Sequence, residues 1–225
     1  MPPLSSFGPL STVRYTINGV DFGTVRVPPG RFVDGKGVAR RELLVSRPFE
    51  VGVTLATQTL WRAVMGENPS RSLSPSKPVD FVSWEDVQSF LGRLRDLGFP
   101  GFRLPTEAEW TWAARCGVPT LWAGAERWRP ERSGGSLKPV ACLPSAAAGV
   151  FDFSGSASEW LFDWDRNLTL SSIDPTGSFP GIFHVFRGGG SGTSPQAAML
   201  ARRGLGVPTL SDDRIGFRLF RSVDA

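Results

Sequence analysis

The sequence holds one histidine, His184, and two cysteines, Cys116 and Cys142. A lone histidine excludes any site built from two or more imidazoles of one chain, which covers most zinc and mononuclear iron hydrolases and oxygenases. The cysteines show no Cys-x-x-Cys spacing; they permit one disulfide and require none. Cys116, at the end of a helical stretch, reads as a small buried thiol. Lysine is scarce as well: Lys36, Lys77 and Lys138 stand among 25 basic residues. The net charge of +4 is small and dispersed, with short clusters such as Arg40–Arg41 and Arg202–Arg203. Such a surface does not call for nucleic acid as a partner. No apolar run approaches the ~18 residues of a membrane span. Residues 1–10 lack the basic-then-apolar order of a secretory signal. The expectation is a cytoplasmic protein without membrane or nucleic-acid partners.

Other residues are plentiful. Glycine (26) and proline (19) point to many turns and irregular segments rather than long regular elements. Eight Trp and 16 Phe against one Tyr predict a heavily aromatic core. With 225 residues the chain is long enough for one large domain. Residues 1–24 read as a lead-in and 25–225 as a single domain.

Val13 to Val27 alternates loosely and predicts one or two strands turning at Asn18-Gly19. Leu43 to Gly52 predicts a further strand pair. Thr54 to Met65 carries Leu55, Leu60, Trp61, Val64 and Met65 at helical spacing. Ser83 caps a second helix, with Asp86 as its capping-box partner and Val87, Phe90, Leu91, Leu94 and Leu97 on one face. Residues 118–146 are rich in Gly, Pro and Ser and predict loop.

The stretch Gly101 to Trp110 is the most specific. Pro105 fixes its own φ and biases Leu104 towards extended backbone. Thr106 is suited to cap the following helix, and Glu109 to return the bond to the Thr106 amide. Glu107 adds a carboxylate to the positive first turn. The helix is expected to continue to Arg115 and to stop at Gly117.

Arg103-Leu104-Pro105-Thr106-Glu107-Ala108-Glu109-Trp110, followed by Ala-Ala-Arg, resembles the formylglycine-generating enzyme (sulfatase-modifying factor) family. Six further segments are similar to family blocks, and all stand in the family's order: Val27-Pro28-Pro29-Gly30-Arg31-Phe32, Leu43 to Gly52, Val64 to Ser70, Gly149 to Trp164, Phe186 to Ser191, and Arg214 to Leu219. The resemblance spans about residues 25–221. It implies an α+β, C-type-lectin-like fold of short twisted strands, a few helices and much irregular chain.

The family's chemistry does not follow its framework here. The resemblance implies a copper-dependent oxidase with two cysteines after the Arg-Gly-Gly-Ser strand, because paired thiolates hold Cu(I). By spacing, Thr193 and Ala198 occupy those positions, and neither is a thiolate ligand. Copper and formylglycine formation are therefore not expected. The three-histidine iron site of the related sulfoxide synthases is excluded for a chain with one histidine. Calcium needs six to eight oxygen ligands. The resemblance implies that family members supply them around the block matched by Gly149 to Trp164; here Asp152 and Glu159 remain as candidate ligands, and Glu159 can instead serve a structural ion pair.

Binding remains. Irregular loops opposite the framework tolerate varied side chains. Gly190 to Ala198 and Gly204 to Arg214 stand out. The candidate ligand-binding residues are Trp160, Arg187, Ser191, Thr193, Ser194, Gln196, Arg202, Arg203, Asp212 and Asp213. Arg103, Pro105, Thr106, Glu107, Glu109 and Trp110 are assigned to structure, with no catalytic residue. The expected function is a non-catalytic module that binds a protein or small molecule. The alternatives are an enzyme of altered chemistry in the same cleft, and the variable protein of a diversity-generating retroelement. Against the last, residues 187–221 lack the Asn and Tyr that adenine-directed variation leaves behind.

Overall fold

The computed structural model describes residues 10–35, 41–116, 120–123, 125, 127–128, 135–142, 149–165, 172–177 and 181–223. The first hairpin pairs β1 (Thr12–Ile17) with β2 (Val20–Val27) through Asn18 and Gly19. Both turn residues have positive φ, 48° and 78°, the geometry that matches strand twist in a two-residue turn. β2 runs across the expected boundary at 24/25, so the first hairpin belongs to the folded unit. β3 (Gly30–Asp34) pairs with β4 (Arg41–Val45) in a separate two-stranded sheet. β5 (Phe49–Gly52) joins β2 instead of its neighbour β4. The predicted pair within Leu43 to Gly52 is thus two strands in two sheets, because Pro48 and the preceding bend separate them.

Three helices follow. α1 (Gln58–Met65) starts later than the periodicity suggests, where Thr57 accepts the Leu60 amide. α2 (Trp84–Asp96) carries the expected Ser83–Asp86 capping box. After the short β6 (Phe102–Arg103), α3 (Glu107–Arg115) opens on the Thr106–Glu109 box. Arg103 reinforces that box by gripping Glu109 through its two terminal guanidinium nitrogens, at 2.6 and 2.7 Å. The left-handed cap residue is Cys116, and Gly117 lies outside the described residues. Cys116 is buried, its Sγ donating to the Ala113 carbonyl at 3.1 Å, and Cys142 is exposed. No helix among the described residues is long and apolar enough to cross a membrane.

The C-terminal half builds β7 (Ser158–Trp164), β8 (His184–Arg187), β9 (Gly204–Gly206), β10 (Ile215–Gly216) and β11 (Phe220–Ser222). One sheet has the order β1-β2-β5-β11-β6; the other has β10-β7-β8-β9. Gly204 to Gly206, expected as loop, is an edge strand. The aromatic core is as the composition predicts: Trp61 stacks on Phe90 at 5.2 Å, Phe90 meets Phe217 edge-on at 5.2 Å, and Trp110 meets Phe153 at 5.4 Å.

The last strands connect both sheets, and Arg218 lies between them. Its side chain and that of Glu159 are wholly buried and ion-paired at 2.8 Å. Arg218 also donates to the carbonyls of Gly52 (2.9 Å) and Phe151 (2.7 Å), and its guanidinium lies 4.0 Å from the Phe153 ring centre. Glu159 additionally accepts from Trp110 Nε1 at 2.8 Å. Removing one partner of such a pair strands a buried charge. Arg218→Met is therefore expected to cost about 3–5 kcal/mol, read as a fall in urea midpoint. A variant of parent stability would contradict this role.

Candidate functional site

The site is built by the loop of residues 68–78 between α1 and α2, which the sequence leaves unassigned beyond the end of the Val64 to Ser70 block. Its anchor is Gln58, a buried amide on the first turn of α1. Gln58 Nε2 donates to the Ser72 carbonyl (3.0 Å), and Oε1 accepts from Asn68 Nδ2 and the Ser74 amide (both 2.9 Å). Asp80, also buried, accepts the Arg71 amide at 2.9 Å, and burial pushes its carboxyl above the usual range. The backbone of 68–78 is thus fixed by side chains beneath it, while Arg71, Ser72 and Lys77 remain at the surface.

Two C-terminal segments meet this loop. The Phe81 amide donates to the Asp212 carbonyl at 3.1 Å, and Arg71 Nη1 reaches Asp213 at 2.6 Å. The Ser191 region approaches through Gly190, where a Cβ would lie 2.5 Å from the Cβ of Arg214. Between these segments and residues 135–137 lies an open cleft of about 720 Å³, lined by Arg71, Lys77, Asp80, Ser191, Asp213 and Arg214 among others. That volume lies in the range of small-molecule sites.

The expected binding residues divide into groups. Ser191 and Asp213 line the cleft, and Asp212 stands behind it, accepting from Arg214 Nε at 3.2 Å. Trp160 is a core residue instead: it is fully buried and its Nε1 donates to the Val82 carbonyl at 3.0 Å. Arg187 is likewise buried, donating to Glu107 (2.8 Å), Thr111 Oγ1 (3.0 Å) and the Leu200 carbonyl (2.6 Å). Neither can face a ligand. Arg203 joins the same network, pairing with Glu107 at 2.8 Å and Asp165 at 3.4 Å. Thr193 Oγ1 donates to the Gly190 carbonyl at 2.7 Å, and Ser194 Oγ accepts the Ala197 amide at 3.3 Å, so both shape their own turn. Gln196 and Arg202 are exposed and away from the cleft lining.

Arg71, Ser72, Lys77 and Asp80 are cleft residues that sequence reasoning missed, and Arg214 was only the boundary of a loop it singled out. The one available signal was a polar, Ser- and Pro-rich segment carrying one of the three lysines.

The expected calcium ligands serve other partners. Both Glu159 oxygens are held by Arg218 and Trp110, and Asp152 Oδ2 accepts the Ala141 amide at 2.6 Å. Among the described residues no group of three or more His, Cys, Asp or Glu side chains is placed to hold a metal ion.

A second buried cluster centres on Asp163 of β7 and His184 of β8. Asp163 accepts the amides of Glu107 and Gly177, yet burial pushes its carboxyl up to about 6. His184 is stacked between Trp84 (3.9 Å) and Trp164 (3.8 Å), and burial lowers it to about 4. Its Nδ1 lies 3.2 Å from the Phe162 carbonyl.

The arrangement of short twisted sheets, three helices and a loop-built cleft is that of a C-type-lectin-like fold. Residues 20–223 match the Sulfatase-modifying factor enzyme 1-like domain, and the chain belongs to that family. It is 28% identical over 190 residues to the formylglycine-generating enzyme of Streptomyces coelicolor, covering 73% of this chain and 59% of that protein. Against the inactive C-alpha-formylglycine-generating enzyme 2 of Mus musculus the identity is 27%, covering 74% and 56%. The chain thus spans little more than half the length of these relatives. In fold it matches Treponema denticola variable protein 1, with TM-score 0.84, 24% identity and coverage of 94% and 99%. It also matches PvdO from Pseudomonas aeruginosa, with TM-score 0.81, 19% identity and coverage of 97% and 100%.

Asp163 and His184 make opposite contributions to stability. Asp163 prefers its proton in the fold, so its contribution is complete below about 3.8 and lost as pH rises through about 6. His184 prefers to be neutral, so its contribution is complete above about 6.5 and lost as pH falls through about 4. Between those limits the two slopes largely cancel. Asp163→Asn should therefore make stability fall on acidification, relative to the parent, by up to about 1.4 kcal/mol per pH unit. His184→Phe should make it fall as pH rises over the same window. Urea midpoints from pH 4 to 6.5 measure both; identical pH slopes in all three proteins would refute the assignment.

Proposed function

We propose that this domain is a non-catalytic binding module that recognises a protein or small-molecule ligand in the cleft between residues 70–77, 191–192 and 213–214. The observation that carries the reading is the contrast between anchor and lining. Gln58 and Asp80 fix the backbone from below, leaving Arg71, Ser72 and Lys77 for recognition.

The positions expected for the family's copper cysteines support a loss of that chemistry. Thr193 is committed to its turn. Ala198 is buried against Gly189, whose φ is +68° and where a Cβ would lie 2.6 Å from the Ala198 Cα. The two thiols do not substitute. Burial pushes Cys116 up to about 12, so it stays protonated at neutral pH, and burial raises Cys142 as well. The name of the mouse relative records an inactive member of the same family.

Incubation with Cu(I), oxygen and a cysteine-containing peptide is expected to yield no formylglycine by mass spectrometry. A thermal-shift screen of peptides and small molecules is expected to find ligands whose effect disappears in Ser136→Trp, which fills the cleft from an exposed position. Peptide oxidation, or a stoichiometric transition metal in the purified protein, would overturn the reading in favour of an enzyme.

A further inference from the structure

We infer that the cleft captures its ligand by an oxyanion, a carboxylate or phosphate group, seated on Lys77. This rests on the binding reading above and assigns its chemistry. The cleft presents three cations, Arg71, Lys77 and Arg214, and two carboxylates, Asp80 and Asp213. Both arginines are already charge-matched. Arg71 Nη1 pairs with Asp213 at 2.6 Å, and Arg214 Nε pairs with Asp212 at 3.2 Å and Asp213 at 3.7 Å. Asp80 is turned into the protein beneath the Arg71 amide.

Lys77 is different. Its ammonium donates to a neutral hydroxyl, Ser72 Oγ, at 3.2 Å. Among the described residues it forms no ion pair within 4.0 Å. It is half-buried, and its backbone is fixed by the bonds from Gln58 N to its carbonyl (3.0 Å) and from its own amide to Ser74 (3.1 Å). Lys77 therefore holds a positive charge with no counter-ion in contact among the described residues, fixed in place, with N–H donors to spare; the buried carboxylate of Asp80 acts on it only from beyond ion-pair distance. A bound oxyanion would convert it into a charge-assisted hydrogen bond.

The surroundings bound the rest of the ligand. A cleft of about 720 Å³ is far larger than a bare anion, so the ligand is an organic acid or a phosphate ester. Leu137 supplies an apolar floor, and Ser72 and Ser136 offer hydroxyls. The Arg71–Asp213 bridge lines the cleft, with the Arg71 side chain 71% exposed. Exposed bridges of this kind are weak. A ligand oxyanion can draw Arg71 away from Asp213 and gain a second cation.

The test is titration calorimetry of the full chain with glutarate and with glycerol 3-phosphate, at constant ionic strength against sodium chloride. One of the two acids is expected to bind, and which one separates a carboxylate from a phosphate ligand. Lys77→Met, which keeps the aliphatic stem, should weaken that binding about tenfold or more, and Lys77→Arg should retain it. Circular dichroism establishes that both variants fold. Absence of binding by either acid, or equal binding by Lys77→Met, overturns the oxyanion assignment. In that case neutral ligands blocked by Ser136→Trp would leave the binding cleft itself standing. Acid binding that survives Ser136→Trp would refute the cleft as the site and this inference with it.

Discussion

The buried pair of Glu159 and Arg218 is the interaction through which the separate sheets become one structure. Arg218 leaves β10 and enters β11, and so belongs to the chain segment shared by both main sheets. Its guanidinium addresses the end of β5 through Gly52 and the Phe151–Phe153 turn through a carbonyl and a ring face. Glu159 answers from β7 and holds α3 through the Trp110 indole. A fold of short strands has few long hydrogen-bond ladders to fix the relative placement of its parts. A charge pair in a low-dielectric interior fixes it instead, because any displacement exposes an unmatched ion.

The Glu107–Arg187 pair performs a similar task on the other side of α3. Glu107 is the first residue of the helix and ties it to β8 through Arg187 and to the 200–203 segment through Arg203. The family's most recognisable residues are thus concentrated where α3 meets the C-terminal sheet. Their carboxylates serve geometry: Glu107 holds Arg187 and Arg203, and Glu109 holds Arg103 and the Thr106 amide.

Local signals were readable in the sequence. Thr106 and Glu109, Ser83 and Asp86, and Asn18 and Gly19 each encode a cap or turn from neighbouring residues, and each forms. The aromatic core followed from composition. Long-range partners were not readable. Nothing beside Arg187 or Trp160 in the chain says that Glu107 or the Val82 carbonyl will meet them, so exposed binding roles were assigned to buried residues. The cleft escaped for the same reason. Gln58 sits on an amphipathic helix where a polar residue reads as solvent-facing, whereas it is buried and organises a loop up to 20 residues away. Lys77 lacks any periodic context.

The placement of Gln58 has a further consequence for how such a domain can change over time. The residues that hold the 68–78 loop lie below it, and those that present chemistry lie above it. Substitutions at Arg71, Ser72 or Lys77 leave the amide bonds of Gln58 and the carboxylate of Asp80 untouched. On the binding role proposed for the cleft, recognition and foldedness are written in different positions of one short segment. New specificities can accumulate there without each first having to be compensated by a stabilising change elsewhere.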